Sequence, residues 1–308
     1  MMEGTVGAYE ADDIRGLVDR ILRELGNPEP PLRLPEVRQL LALDLKYYSL
    51  SNPTLLQEVA HRMKVAGKQV IARPTILIDV IKKANLSALW IPDGNRILID
   101  QQVPDAKKRW IEAHEVGHSF IPWHKDFLFG DDQYTLDPNC HANVEAEANF
   151  AAARLLFLQD RFACEARDVE ITFKSIQNLA KRYGNTITTT LWRTVEERDG
   201  ETPAFGMVSA HPHHDDIGRD PGGKDVRYFI RSPAFRTRFP GITQEFCWNF
   251  LRASAGRARR GPIFDGTVVL TDANGVRHEF AIECFCNHHA ILTYAVHRRP
   301  APLITPVK

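Results

Sequence analysis

One short motif restricts the fold more than any other feature of this sequence: His-Glu-Val-Gly-His at residues 114–118. Residues four apart on an α-helix lie one above the other on the same face, so His114 and His118 can direct their ring nitrogens at one metal ion. Pro104 suits the first turn of such a helix, and the helical pattern continues to Phe120. The motif therefore predicts a helix that follows directly on a strand and has a metal-facing side.

Glu115 adds a carboxylate beside the first histidine of the motif. Zinc peptidases use this arrangement: the metal lowers the pKa of its bound water to about 7 and polarises the scissile carbonyl, and the glutamate accepts the proton. Matches to five residues also arise by chance on ordinary helices. The motif alone thus leaves a catalytic site and a chance match equally open, and the third protein ligand decides the class of protein.

His124 stands six residues beyond His118, which is the spacing used by metzincins. Metzincins have a glycine three residues before this histidine, where the chain turns sharply, but this sequence has Ile121 followed by Pro122. A β-branched residue avoids that turn conformation, and a following proline biases Ile121 towards extended backbone. His124 is therefore a poor third ligand, and we expect it at the rim of the cleft.

A later helical segment, HANVEAEANFAAARLLF, offers two carboxylates, Glu145 and Glu147. On a helix, Glu145 shares its face with small and apolar residues that can pack against the motif helix, whereas Glu147 lines up with Arg154. A buried carboxylate needs a metal or another partner to offset its desolvation, so Glu145 is the better ligand. Asn149, one turn further on, can orient a ligating histidine. The alternatives are two solvated glutamates, or a pairing of Glu147 with Arg154.

Two motifs together resemble the ImmA/IrrE-type metallopeptidases of bacterial stress regulators and mobile elements: the histidine motif, and Glu-Ala-Glu-Ala-Asn-Phe-Ala-Ala at residues 145–152. The resemblance is strongest over roughly residues 50–165. It implies a gluzincin-like site with Glu115 as general base and three Zn²⁺ ligands, His114, His118 and Glu145. Members of the family cleave or act on a helix-turn-helix repressor protein, which relieves repression of nearby genes.

Two apolar runs that flank Asp-Gly-Asn at residues 93–95 predict a β-hairpin directly before the motif helix. Its second strand, Arg96–Asp100, is short and has the first hairpin strand as its partner. We therefore expect Arg96–Asp100 to be a sheet edge, which can add an extended substrate peptide by main-chain hydrogen bonds. The alternative is an inner strand with no free edge.

The sequence predicts an α+β fold in three parts. Residues 1–165 form a zincin-like, mainly helical peptidase domain with a small β-sheet. Residues 166–200 form a helical segment that looks like a helix-turn-helix. Residues 203–308 form a mixed α/β domain that we expect to be sensory or substrate-selecting. Helical periodicity in the first part predicts helices at Asp12–Leu25, Pro35–Leu43, Thr54–Met63, Pro74–Ala84 and Val144–Leu158, with an irregular polar segment at Lys125–Ala142.

Three further clusters have a structural interpretation that is favoured over a functional one. The second helix of the segment at 175–193 is followed by acidic residues, which suits packing better than DNA binding. The histidine-rich tract at 211–216 can bind a divalent metal, but a solvated loop is favoured. Cys284, Cys286 and His288 alternate along a predicted strand and offer a second zinc set, but half-buried strand cysteines are commoner.

Composition narrows the choice of partners and compartment. Basic and acidic residues both number 39, so no net field draws the chain to nucleic acid or an anionic membrane. Five scattered cysteines suit a reducing compartment, and there is no targeting segment and no apolar run of membrane-spanning length. We therefore expect a cytoplasmic protein without membrane contact.

These features predict a zinc-dependent endopeptidase that cleaves a helix-turn-helix repressor and so derepresses stress-response or mobile-element genes. The alternative is a transcriptional or protein-binding regulator with a non-catalytic metal site. Glu115 favours the first, because a purely structural site has no use for a base beside its first ligand. A protein substrate is thus the expected partner, and direct DNA binding is the less favoured interaction.

Overall fold

The computed structural model describes residues 6–49, 88–91, 95–124, 138–170, 172–197, 201–219 and 222–301. The chain divides into two compact units, Met1–Asp160 and Arg161–Lys308, called here the N-terminal unit and the C-terminal unit. The helical segment that we predicted as a separate part, residues 166–200, belongs to the C-terminal unit. In the ranges just given, no helix combines the length and apolar character that a membrane span requires.

The N-terminal unit combines helices with a small sheet. Its elements are α1 (Ala8–Glu24), α2 (Leu34–Leu40), β1 (Asp44–Tyr48), β2 (Ala88–Ile91), β3 (Arg96–Asp100), α3 (Asp105–Phe120) and α4 (Pro138–Leu156). The helices predicted at the start of the chain are confirmed, because apolar side chains such as Ile14, Val18 and Ile21 recur at helical spacing and are buried. The predicted helices at 54–63 and 74–84 lie outside the described residues.

The three strands pair in the order β1-β3-β2, with β1 parallel to β3 and β2 antiparallel to it. The predicted hairpin of β2 and β3 is therefore confirmed. The prediction that Arg96–Asp100 is a sheet edge is wrong, because β3 lies between the other two strands. Its side chains Ile97, Leu98 and Ile99 are fully buried, as suits a strand that is paired on both sides. Among the described strands, β2 and β1 form the edges.

Helices α3 and α4 approach each other closely at Gly117. A Cβ atom at this position would lie 3.0 Å from the carbonyl oxygen of Ala148 and 3.3 Å from the Cβ of Ala151. The small residues on α4 therefore pack against the motif helix, as predicted. The prediction of an irregular segment at 125–142 is wrong for its last residues, because α4 begins at Pro138. The earlier residues of that segment lie outside the described ranges.

The C-terminal unit contains one five-stranded antiparallel sheet in the order β5-β4-β8-β7-β6. Its elements are α5 (Asp160–Arg167), α6 (Phe173–Tyr183), α7 (Ile187–Glu196), β4 (Ala204–Ser209), β5 (Val226–Arg231), α8 (Pro233–Arg238), α9 (Gln244–Ser254), β6 (Gly261–Thr271), β7 (Arg277–Cys286) and β8 (Ile291–Pro300). The chain turns between β6 and β7 at Asp272, which accepts hydrogen bonds from the backbone of Asn274 and Val276.

Helices cover both faces of this sheet. Side chains of α8 and α9, including Phe235 and Trp248, pack on one face, and side chains of α6 and α7, including Ile176 and Leu191, pack on the other. Gly184 ends α6 with a φ of 66°, a left-handed conformation that glycine adopts without strain. The predicted pair of helices is confirmed. One face of α7 packs into the unit, because Thr190, Leu191, Thr194 and Val195 are buried.

Candidate metal centre

Three side chains converge on one point between α3 and α4: those of His114, His118 and Glu145. The Nε2 atoms of the two histidines are 3.1 Å apart, and the Glu145 carboxylate oxygens lie 3.2 Å from Nε2 of His114 and 3.6 Å from Nε2 of His118. A zinc tetrahedron with bonds of about 2.0–2.1 Å has edges of about 3.3 Å. The two imidazole nitrogens and the carboxylate are therefore spaced to hold one such ion. Within the described ranges, this is the one group of histidine, cysteine and acidic side chains so arranged.

The local fold explains this convergence. His114 and His118 share one face of α3 because they are one turn apart. Gly117 lets α4 approach that helix without a clash against Ala148, which lies three residues after Glu145. The glycine within the motif therefore brings the third carboxylate within reach of both imidazoles.

The burial of the two glutamates is the reverse of what we expected. The Glu145 side chain is 44% exposed, whereas that of Glu147 is 10% exposed. The expectation of a buried Glu145 is therefore wrong, although the residue lies at the histidines. Glu147 is no solvated charge either, since it accepts hydrogen bonds from Trp123 Nε1 at 2.6 Å and from His124 Nε2 at 2.9 Å.

His124 does not line the rim of a cleft, because it is fully buried. Its Nδ1 atom lies 2.9 Å from Nδ1 of His118, and its other ring nitrogen faces Glu147. The backbone at Ile121 is extended, with φ −80° and ψ 111°, as its position before a proline predicts. This conformation returns the chain towards α4, and His124 lies behind His118 instead of beside the ligand atoms.

Asn149 lies behind the other histidine, as the sequence predicts. Its Oδ1 atom is 3.1 Å from Nδ1 of His114. An amide oxygen only accepts, so Nδ1 of His114 carries the proton and Nε2 offers its lone pair. Burial lowers the pKa of His114, but the hydrogen bond and charge of Glu145 and the charge of Glu115 raise it, and the net shift is upward. The surroundings thus favour positive charge at this point, which is what a cation site requires.

Glu115 is the buried carboxyl next to the centre. Burial raises its pKa to about 7, with a further rise from the charge of Glu145, against lowering by His114 and by a hydrogen bond from the backbone N–H of Trp90. The Trp90 contact could not be predicted from the sequence, because a main-chain donor is independent of residue type. The hydrogen bond from Trp123 to Glu147 was also not predicted. It could have been expected, because Trp123 directly precedes His124 and a buried indole N–H needs an acceptor.

The histidine tract at 211–216 forms neither a metal group nor a purely solvated loop. His211 is buried and donates from Nε2 to the carbonyl of Ala258 at 3.1 Å. His213 and His214 donate in the same way to the carbonyls of Ala255 and Arg257, at 3.1 and 2.8 Å. The three imidazoles therefore hydrogen-bond the segment that follows α9 to the segment that follows β4.

Cys284 and Cys286 lie on β7 and are buried in the core, as expected for strand cysteines. Burial raises the pKa of Cys284 to about 12. His288 does not share their face, because β7 ends at Cys286 and His288 is an exposed turn residue with a φ of 75°. These three residues are therefore not brought together.

No family model matches this chain, and no curated protein matches it. One similar solved structure is described as a Mycobacterium tuberculosis transcriptional regulator. It covers 93% of this chain and 76% of that chain, with a TM-score of 0.53 and 11% sequence identity. At this identity the likeness shows a related α+β fold.

Proposed function

We propose that this chain is a zinc-dependent endopeptidase with His114, His118 and Glu145 as metal ligands and Glu115 as general base. The observation that carries the proposal is the convergence of three ligand atoms, at spacings that suit zinc, beside a buried carboxyl with a pKa of about 7. The two sequence motifs that resemble ImmA/IrrE-type metallopeptidases support the same assignment.

When bound, the zinc ion supplies Lewis acidity that activates water and polarises a peptide carbonyl. Glu115 takes a proton from the attacking water as its oxygen adds to the carbonyl carbon. The same carboxyl gives that proton to the amine nitrogen as the peptide C–N bond breaks, which restores Glu115 for the next cycle. The burial of Glu115 raises its pKa, which favours the protonated form that this carboxyl must adopt between the two transfers.

The substrate is proposed to be an extended segment of a protein that lies along β2. The backbone N–H of Trp90 donates to Glu115, so this edge of the strand faces the general base and not β3. A peptide added to that edge by main-chain hydrogen bonds passes over Glu115. The family resemblance adds that the protein is a helix-turn-helix repressor, and that the C-terminal unit has a sensory or substrate-selecting role.

The decisive experiment compares the wild type with Glu115→Gln, using a repressor encoded beside this protein as substrate. The variant keeps the three ligands, so we expect about one zinc ion per chain in both proteins. Cleavage, followed by mass spectrometry of the products, should fall at least about 10²-fold, because proton transfer by a positioned base contributes about 10²–10⁴-fold. Cleavage by the variant at the wild-type rate would exclude Glu115 as the base.

The second candidate is a regulator that acts by binding, with a metal site that does not catalyse. The observation that favours it is the likeness to a protein described as a transcriptional regulator. The same experiment separates the two candidates. A regulator binds the repressor and leaves it intact, with or without Glu115, whereas a peptidase yields products that depend on Glu115.

A further inference from the structure

A chain of buried polar groups runs behind His118 and away from the candidate metal centre. Nδ1 of His118 lies 2.9 Å from Nδ1 of His124, and Nε2 of His124 lies 2.9 Å from Oε2 of Glu147. His118, His124 and Glu147 are 6%, 0% and 7% exposed. Burying polar groups is costly unless they are hydrogen-bonded. A closely linked chain of such groups in the interior therefore suggests a functional role.

Only one distribution of protons satisfies every link of this chain. Nε2 of His118 faces His114 and Glu145, so as a metal ligand it must present a lone pair and the ring proton must be on Nδ1. That N–H donates to His124, whose Nδ1 then accepts. The proton of His124 is therefore on Nε2 and is donated to Glu147, which as a carboxylate only accepts.

Glu147 is held in the ionised form that this distribution requires. Its carboxylate receives N–H groups from both His124 and Trp123 and needs no proton of its own, because an ionised carboxylate only accepts. Trp123 donates to the same oxygen as His124, at 2.6 Å. The chain thus ends in a buried carboxylate that accepts from His124 and reaches His118 only through that ring.

The two histidines of the centre are supported differently. His114 donates to the neutral amide of Asn149 at 3.1 Å. His118 donates through a second imidazole to a carboxylate. A hydrogen bond to a carboxylate makes a ligating imidazole more basic and fixes its ring orientation. Of the two histidines, only His118 is therefore linked to a charged group on its far side.

We propose that His124 and Glu147 are positioning residues of the metal centre: together they hold His118 with its Nε2 lone pair towards the cation and strengthen its binding. The inference rests on the proposed function only in that the centre binds zinc. It concerns no group that touches the substrate.

The test measures zinc affinity by competition with a chromophoric chelator on the full chain. Glu147→Gln keeps an acceptor for both Trp123 and His124 but removes the charge, and His124→Phe keeps the ring volume but breaks the link. Loss of such supporting contacts costs metal sites about 10- to 100-fold in affinity. We expect about 10-fold weaker binding for Glu147→Gln and up to about 100-fold for His124→Phe.

A rescue variant separates positioning from simple folding. Asn149→Asp places a carboxylate behind His114 in the background of Glu147→Gln, where it restores a charged support to the centre. We expect this double variant to recover zinc affinity relative to Glu147→Gln. The visible spectrum of the cobalt-substituted proteins checks that the same three ligands remain.

The inference is overturned if Glu147→Gln binds zinc as tightly as the wild type. If His124→Phe fails to fold, Glu147→Gln still decides the question. A wild type that binds zinc but cuts no protein removes the proposed function and leaves this inference standing; one that binds no zinc removes both.

Discussion

At the scale of single residues, the position of one ring proton decides what each histidine of the site can do. His114 and His118 both direct Nε2 at Glu145, and the other nitrogen of each has its own partner, Asn149 or His124. A ligating nitrogen cannot also carry a proton, so these partners determine which nitrogen of each ring can face the metal. His124 has both nitrogens engaged by its neighbours and offers none to a metal.

The two glutamates of α4 should respond differently to removal. Glu145→Ala deletes a proposed ligand whose side chain is half exposed, so zinc binding should be lost while the stability of the metal-free protein changes by less than about 0.5 kcal/mol. Glu147→Ala leaves Trp123 and His124 with an empty acceptor position in the interior. It should lower the free energy of unfolding of the metal-free protein by about 1–3 kcal/mol.

Urea unfolding in the presence of a chelator measures both variants. The wild type in chelator is the reference. If the Glu145 variant retains wild-type zinc affinity, the third ligand lies elsewhere. Equal stability of the Glu147 variant and the reference would contradict the buried role of that carboxylate.

At the scale of secondary-structure elements, the packing of α3 against α4 depends on a residue without a side chain. Gly117→Ala places a methyl group 3.0 Å from a backbone oxygen that cannot move away alone. Overpacking costs about 1–3 kcal/mol, and the higher helix propensity of alanine offsets about 1 kcal/mol of this, so we expect a net loss of up to about 2 kcal/mol. Zinc affinity should fall as well, because Glu145 moves with α4.

Gly16→Ala is the matched control, because Gly16 lies in α1 with nothing within 4 Å of its added Cβ atom. It should raise the free energy of unfolding by about 1 kcal/mol and leave zinc affinity unchanged. Thermal unfolding and chelator competition on both variants check this. A Gly117 variant that behaves like the Gly16 variant would show that the helices have room to spare.

The histidines at the end of β4 predict a dependence of stability on pH. Burial, and then the charges of His214, His213 and Arg259, lower the pKa of His211 against the raising effect of the Ala258 carbonyl. The folded state thus binds this proton less readily than the unfolded state, where the pKa is about 6.5. The contribution of His211 is complete above pH 6.5 and is lost as the pH falls below it.

Urea midpoints of wild type and His211→Gln, measured from pH 7.5 to pH 5, test this expectation. The glutamine does not titrate, so the difference between the two proteins isolates His211 from other groups such as His297, whose pKa is also lowered. The wild type should lose stability more steeply on acidification than the variant. Parallel curves would show that protonation of His211 does not oppose folding.

The sequence predicted those elements whose pattern of apolar residues lies within one short segment. Helical periodicity located α1, α3, α6 and α7 because each buries one face of a single segment. The central place of β3 was missed, because its parallel partner β1 is about fifty residues earlier in the chain and leaves no local trace. The burial of His124 was missed for a related reason: the backbone at Ile121 was predicted well, but its direction relative to α4 depends on tertiary packing.

At the scale of the whole molecule, the chain contains two compact units with separate apolar interiors. The small residues Ala148, Ala151 and Ala152 are buried in the first, and the aromatic residues Phe235 and Phe280 are buried in the second. The candidate metal centre belongs wholly to the N-terminal unit, because all its side chains come from α3 and α4. Under the proposed function, we therefore expect zinc to stabilise the N-terminal unit directly.

A ligand that binds only the folded state stabilises it by about 2.7 kcal/mol when its concentration is a hundred times its Kd. We therefore expect the transition of the N-terminal unit in calorimetry to move to lower temperature when a chelator removes zinc, while that of the C-terminal unit stays in place. His118→Ala should show the chelated pattern even with zinc added, because it lacks a ligand. Limited proteolysis followed by mass spectrometry identifies which unit opens first. A chelator effect on the second transition alone would place the zinc site outside α3 and α4.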